Sequence, residues 1–280
     1  MKSFSLIFCL ILASGSQALF GQLGGTNPLV RFHTDLGDMD VLLLQDVAPN
    51  NVANFLAYVT QSLYDNSFLH RSPPNFVIQG GGYKFANGQT MSIPQGPPVI
   101  NEFHVSNTRG TLAMAKLPNN PNSATNQWFF NESDTNAGPP ASLDTQNGGF
   151  TVFGRLINKT GLTTMDTIAA VPIYNFGSPF DQLPLIDYHS GDNVNNSKLV
   201  NVIWIKVVPQ IVALSRLNPT AVRVQGRGAA NTTYRLDMSS SSAAGSSFTT
   251  SVNVTTSAGG DFTFDDGSAS TKKFYRAVIP

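Results

Sequence analysis

The stretch Phe68-Leu-His-Arg-Ser-Pro-Pro-Asn-Phe-Val-Ile-Gln-Gly-Gly-Gly82 decides the reading of this chain. It places Arg71 five residues before Phe76 and eight before Gln79, and its apolar run leads straight into three glycines. A short apolar run that stops at glycines reads as a hydrophobic strand. Three glycines also suggest a phosphate loop. Neither a helix signal nor Lys-Ser/Thr follows them, so that reading is rejected. Taken alone, an arginine after a histidine on a strand is an ordinary surface ion-pair residue. Its meaning here comes from what surrounds it.

Upstream, Leu29 to Leu44 holds two partly alternating runs around Asp35-Leu36-Gly37-Asp38, a hairpin pattern. Apolar residues at 52, 55, 56 and 59 follow helical spacing, with Asn50 or Asn51 available as a cap. Downstream, strands are expected at Phe68 to His70, Phe76 to Gln79, Thr111 to Ala115, Gln127 to Phe130 and Phe150 to Leu156. A short helix fits Leu162 to Ala170, and Leu199 to Val208 reads as a last, partly buried strand. Many short strands, two helices and Gly/Pro-rich turns predict a mainly β protein built on a closed barrel, because closure removes reactive sheet edges.

The bulk numbers narrow the function. The chain has 280 residues, which favours two domains, and 41% hydrophobic content, enough for an ordinary core. Lys+Arg and Asp+Glu are both 17, so the basic footprint of a nucleic-acid binder is absent. The N-terminus begins Met1-Lys2, continues with an apolar run from Phe4 to Ala13, and offers small residues for cleavage up to Ala18. That run is too short to span a bilayer, so residues 1–18 read as a signal peptide and the mature chain carries no membrane span. Cys9 is the single cysteine and lies inside the run, which leaves a mature chain without disulfides or thiol chemistry.

Further motifs follow the opening stretch in order. They are Gly110-Thr-Leu-Ala-Met-Ala-Lys116, then Asn122-Ser-Ala-Thr-Asn-Gln-Trp-Phe-Phe-Asn131, then Leu143-Asp144 with Phe150-Thr-Val-Phe-Gly-Arg155. Together with Leu36-Gly-Asp-Met-Asp40 and Ala48-Pro-Asn-Asn-Val-Ala-Asn-Phe-Leu56, residues 28–208 resemble the cyclophilin-type peptidyl-prolyl isomerases. The resemblance implies an eight-stranded antiparallel barrel with a helix over each end. It also implies an activity, isomerisation of X-Pro bonds in proline-containing polypeptides, that needs no cofactor and no metal. Arg71 is then the catalytic residue. Phe76, Met114, Phe129 and Leu143 line a slot for the proline ring. Gln79 and Gln127 hold the flanking backbone, with main-chain help near Ala115 and Lys116.

Several positions depart from the family pattern. Ser142 stands where cyclosporin-sensitive members carry tryptophan, which predicts weak cyclosporin inhibition. Lys116 replaces a frequent asparagine, and Phe150 replaces a frequent histidine while still able to wall the groove. Phe129 and Phe130 are adjacent, and Phe129 is assigned to the pocket because it follows Gln127 by two. His70 matches the family, but as the strand neighbour of Arg71 it points the other way, which makes it a rim or supporting residue of the binding site. His33, His104 and His189 lack ligand spacing.

Residues 172–197 form an insertion that the motifs do not explain. After Pro209 the composition turns to Ser, Thr, Gly and Ala. Five short strands are expected at 221–225, 232–238, 248–255, 261–264 and 273–278, so residues 210–280 form a small β-sandwich-like module. Asp261, Asp265 and Asp266 read as a solvated turn rather than a calcium site. The expected whole is an exported prolyl isomerase acting on unfolded or partly folded chains, in the periplasm, at the cell surface or outside the cell. Two rivals use the same residues differently: a non-catalytic module holding proline segments, and a surface scaffold whose C-terminal module carries the function.

Overall fold

The computed structural model describes residues 27–240, 248, 250–268 and 273–279. The leader reading for residues 1–18, with Cys9, lies outside them. Two compact units emerge, residues 27–206 and the residues from Val207 onward.

The first unit contains β1 (Leu29–Thr34), β2 (Gly37–Leu43), α1 (Pro49–Thr60), β3 (Ser67–Phe68), β4 (Val77–Gly80), β5 (Tyr83–Ala86) and β6 (Gln89–Ser92). It continues through β7 (Thr111–Met114), β8 (Trp128–Asn131), β9 (Val152–Leu156), α2 (Lys159–Ala169), β10 (Ile173–Tyr174), β11 (Leu183–Pro184) and β12 (Asn201–Val208). The main sheet runs β4-β8-β7-β9-β2-β1-β12-β3-β5-β6. Its two ends meet. β3 pairs with β5 at Phe68↔Tyr83, and the chain just beyond β3 pairs with β4 at Arg71↔Gln79. His70 N–H donates to Gln79 O at 3.0 Å, and Gln79 N–H donates to Arg71 O at 2.8 Å. β4 and β5 therefore act as one strand bent at Gly81-Gly82, and eight strands close into a barrel.

Gly81 makes the bend possible. Its φ is +80°, and a Cβ there would lie 2.5 Å from the Asn126 carbonyl oxygen. The barrel interior is aromatic. Phe32 lies 5.0 Å from Trp128 and 5.2 Å from Phe130 between ring centroids, both edge-on, and Phe55 stacks at 5.9 Å. Such pairs contribute about 0.5–1.5 kcal/mol each beyond their buried area.

The β1–β2 hairpin turns through Asp35-Leu36 alone, since Thr34 already pairs with Gly37. α1 corrects the expected cap. Pro49 occupies the first turn, neither asparagine caps the helix, and the Glu102 carboxylate takes the N–H groups of Asn50 (3.2 Å) and Asn51 (3.0 Å). Burial pushes the Glu102 carboxyl up, but the four hydrogen bonds from Asn50 and Asn51 outweigh it and hold it below the usual range. α2 starts before the apolar periodicity because the Asn158 side chain caps it, accepting from Gly161 N–H at 2.7 Å. β5 and β6 were not anticipated. Their turn, Asn87-Gly88, has φ of +53° and +75°, the positive pair that an Asn-Gly hairpin uses.

The insertion folds back as the β10–β11 pair. Leu183 and Leu185 bury against Phe68 and Leu199, joined by Tyr83, Phe85, Tyr174, Phe180 and Tyr188.

The second unit holds β13 (Gln210–Asn218), β14 (Ala221–Arg227), β15 (Thr233–Ser239), β16 (Thr250–Thr255), β17 (Asp261–Asp266) and β18 (Phe274–Val278). They form two three-stranded sheets, β13-β14-β17 and β16-β15-β18. Val222, Val224 and Phe262 from one pack with Tyr234, Leu236, Met238, Val254 and Tyr275 from the other, the core of a small sandwich. β13 is a strand that the sequence reading omitted. The three aspartates are not a solvated turn but lie on β17. Arg223 pairs with Asp265 at 2.7 Å, Arg227 with Asp261 at 2.9 Å and Lys273 with Asp266 at 2.6 Å.

Candidate active site

Barrel closure sets the position of Arg71. Its backbone is pinned opposite Gln79, and its guanidinium lies 5.7 Å from the centroid of the Phe76 ring. The side chain is half-buried. Desolvation lowers its pKa, and the charge of Asp181 opposes that shift. Gln79 donates its side-chain amide to Gln127 Oε1 at 2.8 Å. Gly82 leaves room for this pair, because a Cβ there would lie 2.9 Å from Gln127 Nε2.

Beside these groups lies an apolar cluster of its own. Val77, Ala113, Phe129, Leu143 and Val152 form its buried base, with Phe76, Ala115 and Phe150 partly open around it. Phe129 meets Phe150 edge to face at 5.7 Å. The two-residue alternation of β8 sends Trp128 and Phe130 to the Phe32 side and Phe129 to this cluster. Met114 is not brought here. It is fully buried and lies outside the cluster, while its strand neighbour Ala113 belongs to it. The slot wall that the sequence reading missed is Val77, next to Phe76 in the opening motif. The apolar type of that position was readable, but not the face it would take.

Lys116 sits at the rim. Its Nζ lies 4.7 Å from the Phe150 ring centroid and donates to Asn147 O (2.9 Å) and Gly149 O (2.6 Å), tying down the loop that carries Phe150. Burial lowers its pKa to about 8. His70 is buried and meets Tyr83 edge-on at 5.0 Å. Desolvation above all, with the charge of Arg71, lowers its pKa to about 4, against a hydrogen bond with Gln127. His70 is therefore a neutral supporting residue at neutral pH.

A buried amide relay backs the slot. Asn136 donates to Phe76 O at 2.6 Å and to Asn131 Oδ1 at 2.8 Å. Asn131 donates to Asn107 Oδ1 at 3.2 Å, and Asn107 donates to Phe150 O at 3.0 Å. Asp144 accepts from Ser106 and from Asn107 N–H (2.8 Å), next to Leu143. The carbonyls of two slot residues, Phe76 and Phe150, are thus tied to one network. Single asparagines carry no sequence signal for such a role. Ser142, before Leu143, adopts φ +52°, and its N–H donates to Gly138 O at 2.7 Å.

The arrangement combines a half-buried cation, paired amides and a preformed apolar slot. It suits electrostatic work on a bound peptide. Residues 29–189 match the family model for cyclophilin type peptidyl-prolyl cis-trans isomerase/CLD. The chain is 38% identical over 153 residues to a peptidyl-prolyl cis-trans isomerase of Acinetobacter baylyi, covering 54% of this chain and 77% of that protein. It is 37% identical over 145 residues to peptidyl-prolyl cis-trans isomerase B of Escherichia coli, covering 51% and 85%. A solved cyclophilin type isomerase from Cryptosporidium parvum superposes with a TM-score of 0.47 at 22% identity, over 65% of this chain and 97% of that one. With the family model spanning more than half of it, this chain belongs to the cyclophilin-type peptidyl-prolyl cis-trans isomerase family.

Proposed function

We propose that Arg71 carries the isomerase activity by stabilising the twisted X-Pro amide, and that the natural substrates are unfolded or partly folded exported proteins. The rotation barrier of a peptide bond, about 18–20 kcal/mol, comes from delocalisation of the nitrogen lone pair. Twisting localises that pair on the proline nitrogen. A fixed donor aimed there binds the twisted state better than either planar isomer, which is the condition for acceleration. A guanidinium offers several N–H donors in a rigid fork and stays charged.

The observation that carries this reading is the placement of Arg71 against Phe76, beside the slot of Val77, Phe129 and Leu143. The proline ring enters the slot, and Gln79 and Gln127 exchange their mutual hydrogen bond for the substrate backbone. Export rests on the first eighteen residues, whose short apolar run and small-residue end suit cleavage after Ala18. No helix among the described residues is long and apolar enough to cross a membrane.

The test is cis/trans exchange in a short Ala-Pro peptide, comparing the parent with Arg71→Ala and Arg71→Lys. Loss of about 10²–10³ in kcat/KM for Arg71→Ala is expected, the scale of removing one transition-state donor. Arg71→Lys should recover only part of it, since lysine lacks the fork. Full activity in Arg71→Ala would show that another group does the electrostatic work.

A further inference from the structure

We infer that residues 172–185, the first part of the 172–197 insertion, are a specificity wall of the substrate groove, and that Asp181 selects peptides with a lysine or arginine flanking the X-Pro bond. This rests on the reading of Arg71 and its slot as the substrate site.

The insertion is built against the catalytic segment. Phe180 packs edge-on to Tyr83 at 5.0 Å between centroids, and Tyr83 in turn meets His70 at 5.0 Å. On the other side of Asp181, Gln182 accepts the Ser72 N–H at 2.9 Å, so this segment is bonded to the residue next to Arg71. Leu183 and Leu185 anchor it in the cluster around Phe68. Asp181 is thus held between two fixed neighbours, at the edge of the groove, with an exposed side chain.

Its carboxylate is unengaged. Its charge acts on Arg71, yet among the described residues it forms no ion pair or hydrogen bond. Asp144, beside Leu143, is occupied by Ser106 and Asn107, and Glu132, beside Phe76, accepts the Asn75 N–H at 3.0 Å. An acidic group standing beside a cation, held by its backbone and free at its tip, makes a receptor for a second cation. Arg71 and Lys116 both place positive charge at the groove, which disfavours basic peptides. Asp181 reverses that bias on the Arg71 side. An exposed pair of this kind contributes about 0.2–1 kcal/mol, so the expected preference is about 1.4- to fivefold and falls with salt.

The experiment measures kcat/KM for Ala-Pro peptides carrying Lys, Ala or Glu at each position flanking the X-Pro bond. The parent is compared with Asp181→Asn and Asp181→Lys, after thermal unfolding shows that both variants fold. At one flanking position the parent should prefer Lys over Glu by about threefold at low salt. The ratio should fall to one or below in Asp181→Asn and lower still in Asp181→Lys. A ratio of one in the parent at every position, or a ratio unchanged in Asp181→Asn, overturns the assignment. So does an equal loss for all peptides, since Asp181 would then act through Arg71. Each of these leaves the groove reading intact. A folded parent that accelerates no peptide would overturn that reading and this inference together.

Discussion

Arg71 and Gln79 face each other in the backbone bridge that closes the barrel, with Gln79 N–H donating to Arg71 O at 2.8 Å. The residue proposed for catalysis and the residue proposed to hold the peptide backbone are therefore fixed by the same pair of strands. Closure removes the freedom of what would be two sheet edges, and places a half-buried cation beside a slot it does not itself line. Preorganisation of this kind lets a donor act without reorganising during the reaction.

The Gln79–Gln127 side-chain bond of 2.8 Å couples these residues. Alanine at either position should raise KM more than it lowers kcat, because both contacts are to parts of the substrate that do not change. The double variant should cost less than the sum of the single ones, by about 0.5–1.5 kcal/mol. A double-mutant cycle on kcat/KM checks this; strict additivity would mean that the two amides act independently.

His70 makes stability depend on pH. Its folded pKa of about 4 lies below the ordinary 6.5, so between these values the unfolded chain binds more protons than the folded one. Stability falls as pH drops through that window and is retained above it. The expected loss between pH 7 and pH 5 is about 2 kcal/mol, where carboxylates stay largely ionised in both states. Urea unfolding at the two pH values, for the parent and His70→Gln, should show a much smaller difference in the variant.

The amide relay behind the slot predicts a positioning effect. Asn136→Ala removes one of two donors to Phe76 O, which keeps the Glu132 N–H, and takes the donor from the buried Asn131 Oδ1, at a cost of about 1–3 kcal/mol. Because Phe76 borders the slot, KM should rise while the pH profile of kcat stays in place. Denaturant titration with steady-state kinetics separates the two effects. A stability loss without any change in KM would limit Asn136 to folding.

By the family resemblance Ser142 takes a tryptophan position of cyclosporin-sensitive members, and its turn (φ +52°) precedes Leu143 of the apolar cluster. Inhibition by cyclosporin should be weak. Titration of the drug against prolyl exchange decides it, with tight inhibition as the contrary result.

Local pattern and motif were legible without coordinates. The two runs around Asp35-Leu36-Gly37-Asp38 determined the hairpin, which turns at Asp35-Leu36. The spacing of Val52, Phe55 and Val59 determined the buried face of α1. The ordered motifs determined the family, and Phe129, not Phe130, belongs to the apolar cluster with Val77 and Leu143. Tertiary structure alone decided the remainder. Glu102 caps α1 from fifty residues away, Val77 rather than Met114 lines the slot, and Asn107, Asn131 and Asn136 tie the slot walls together. It also brought Asp181, more than a hundred residues downstream, beside Arg71. Each of these depends on strands distant in sequence meeting around one core, and side-chain periodicity along a strand records which residues share a face but not what that face meets.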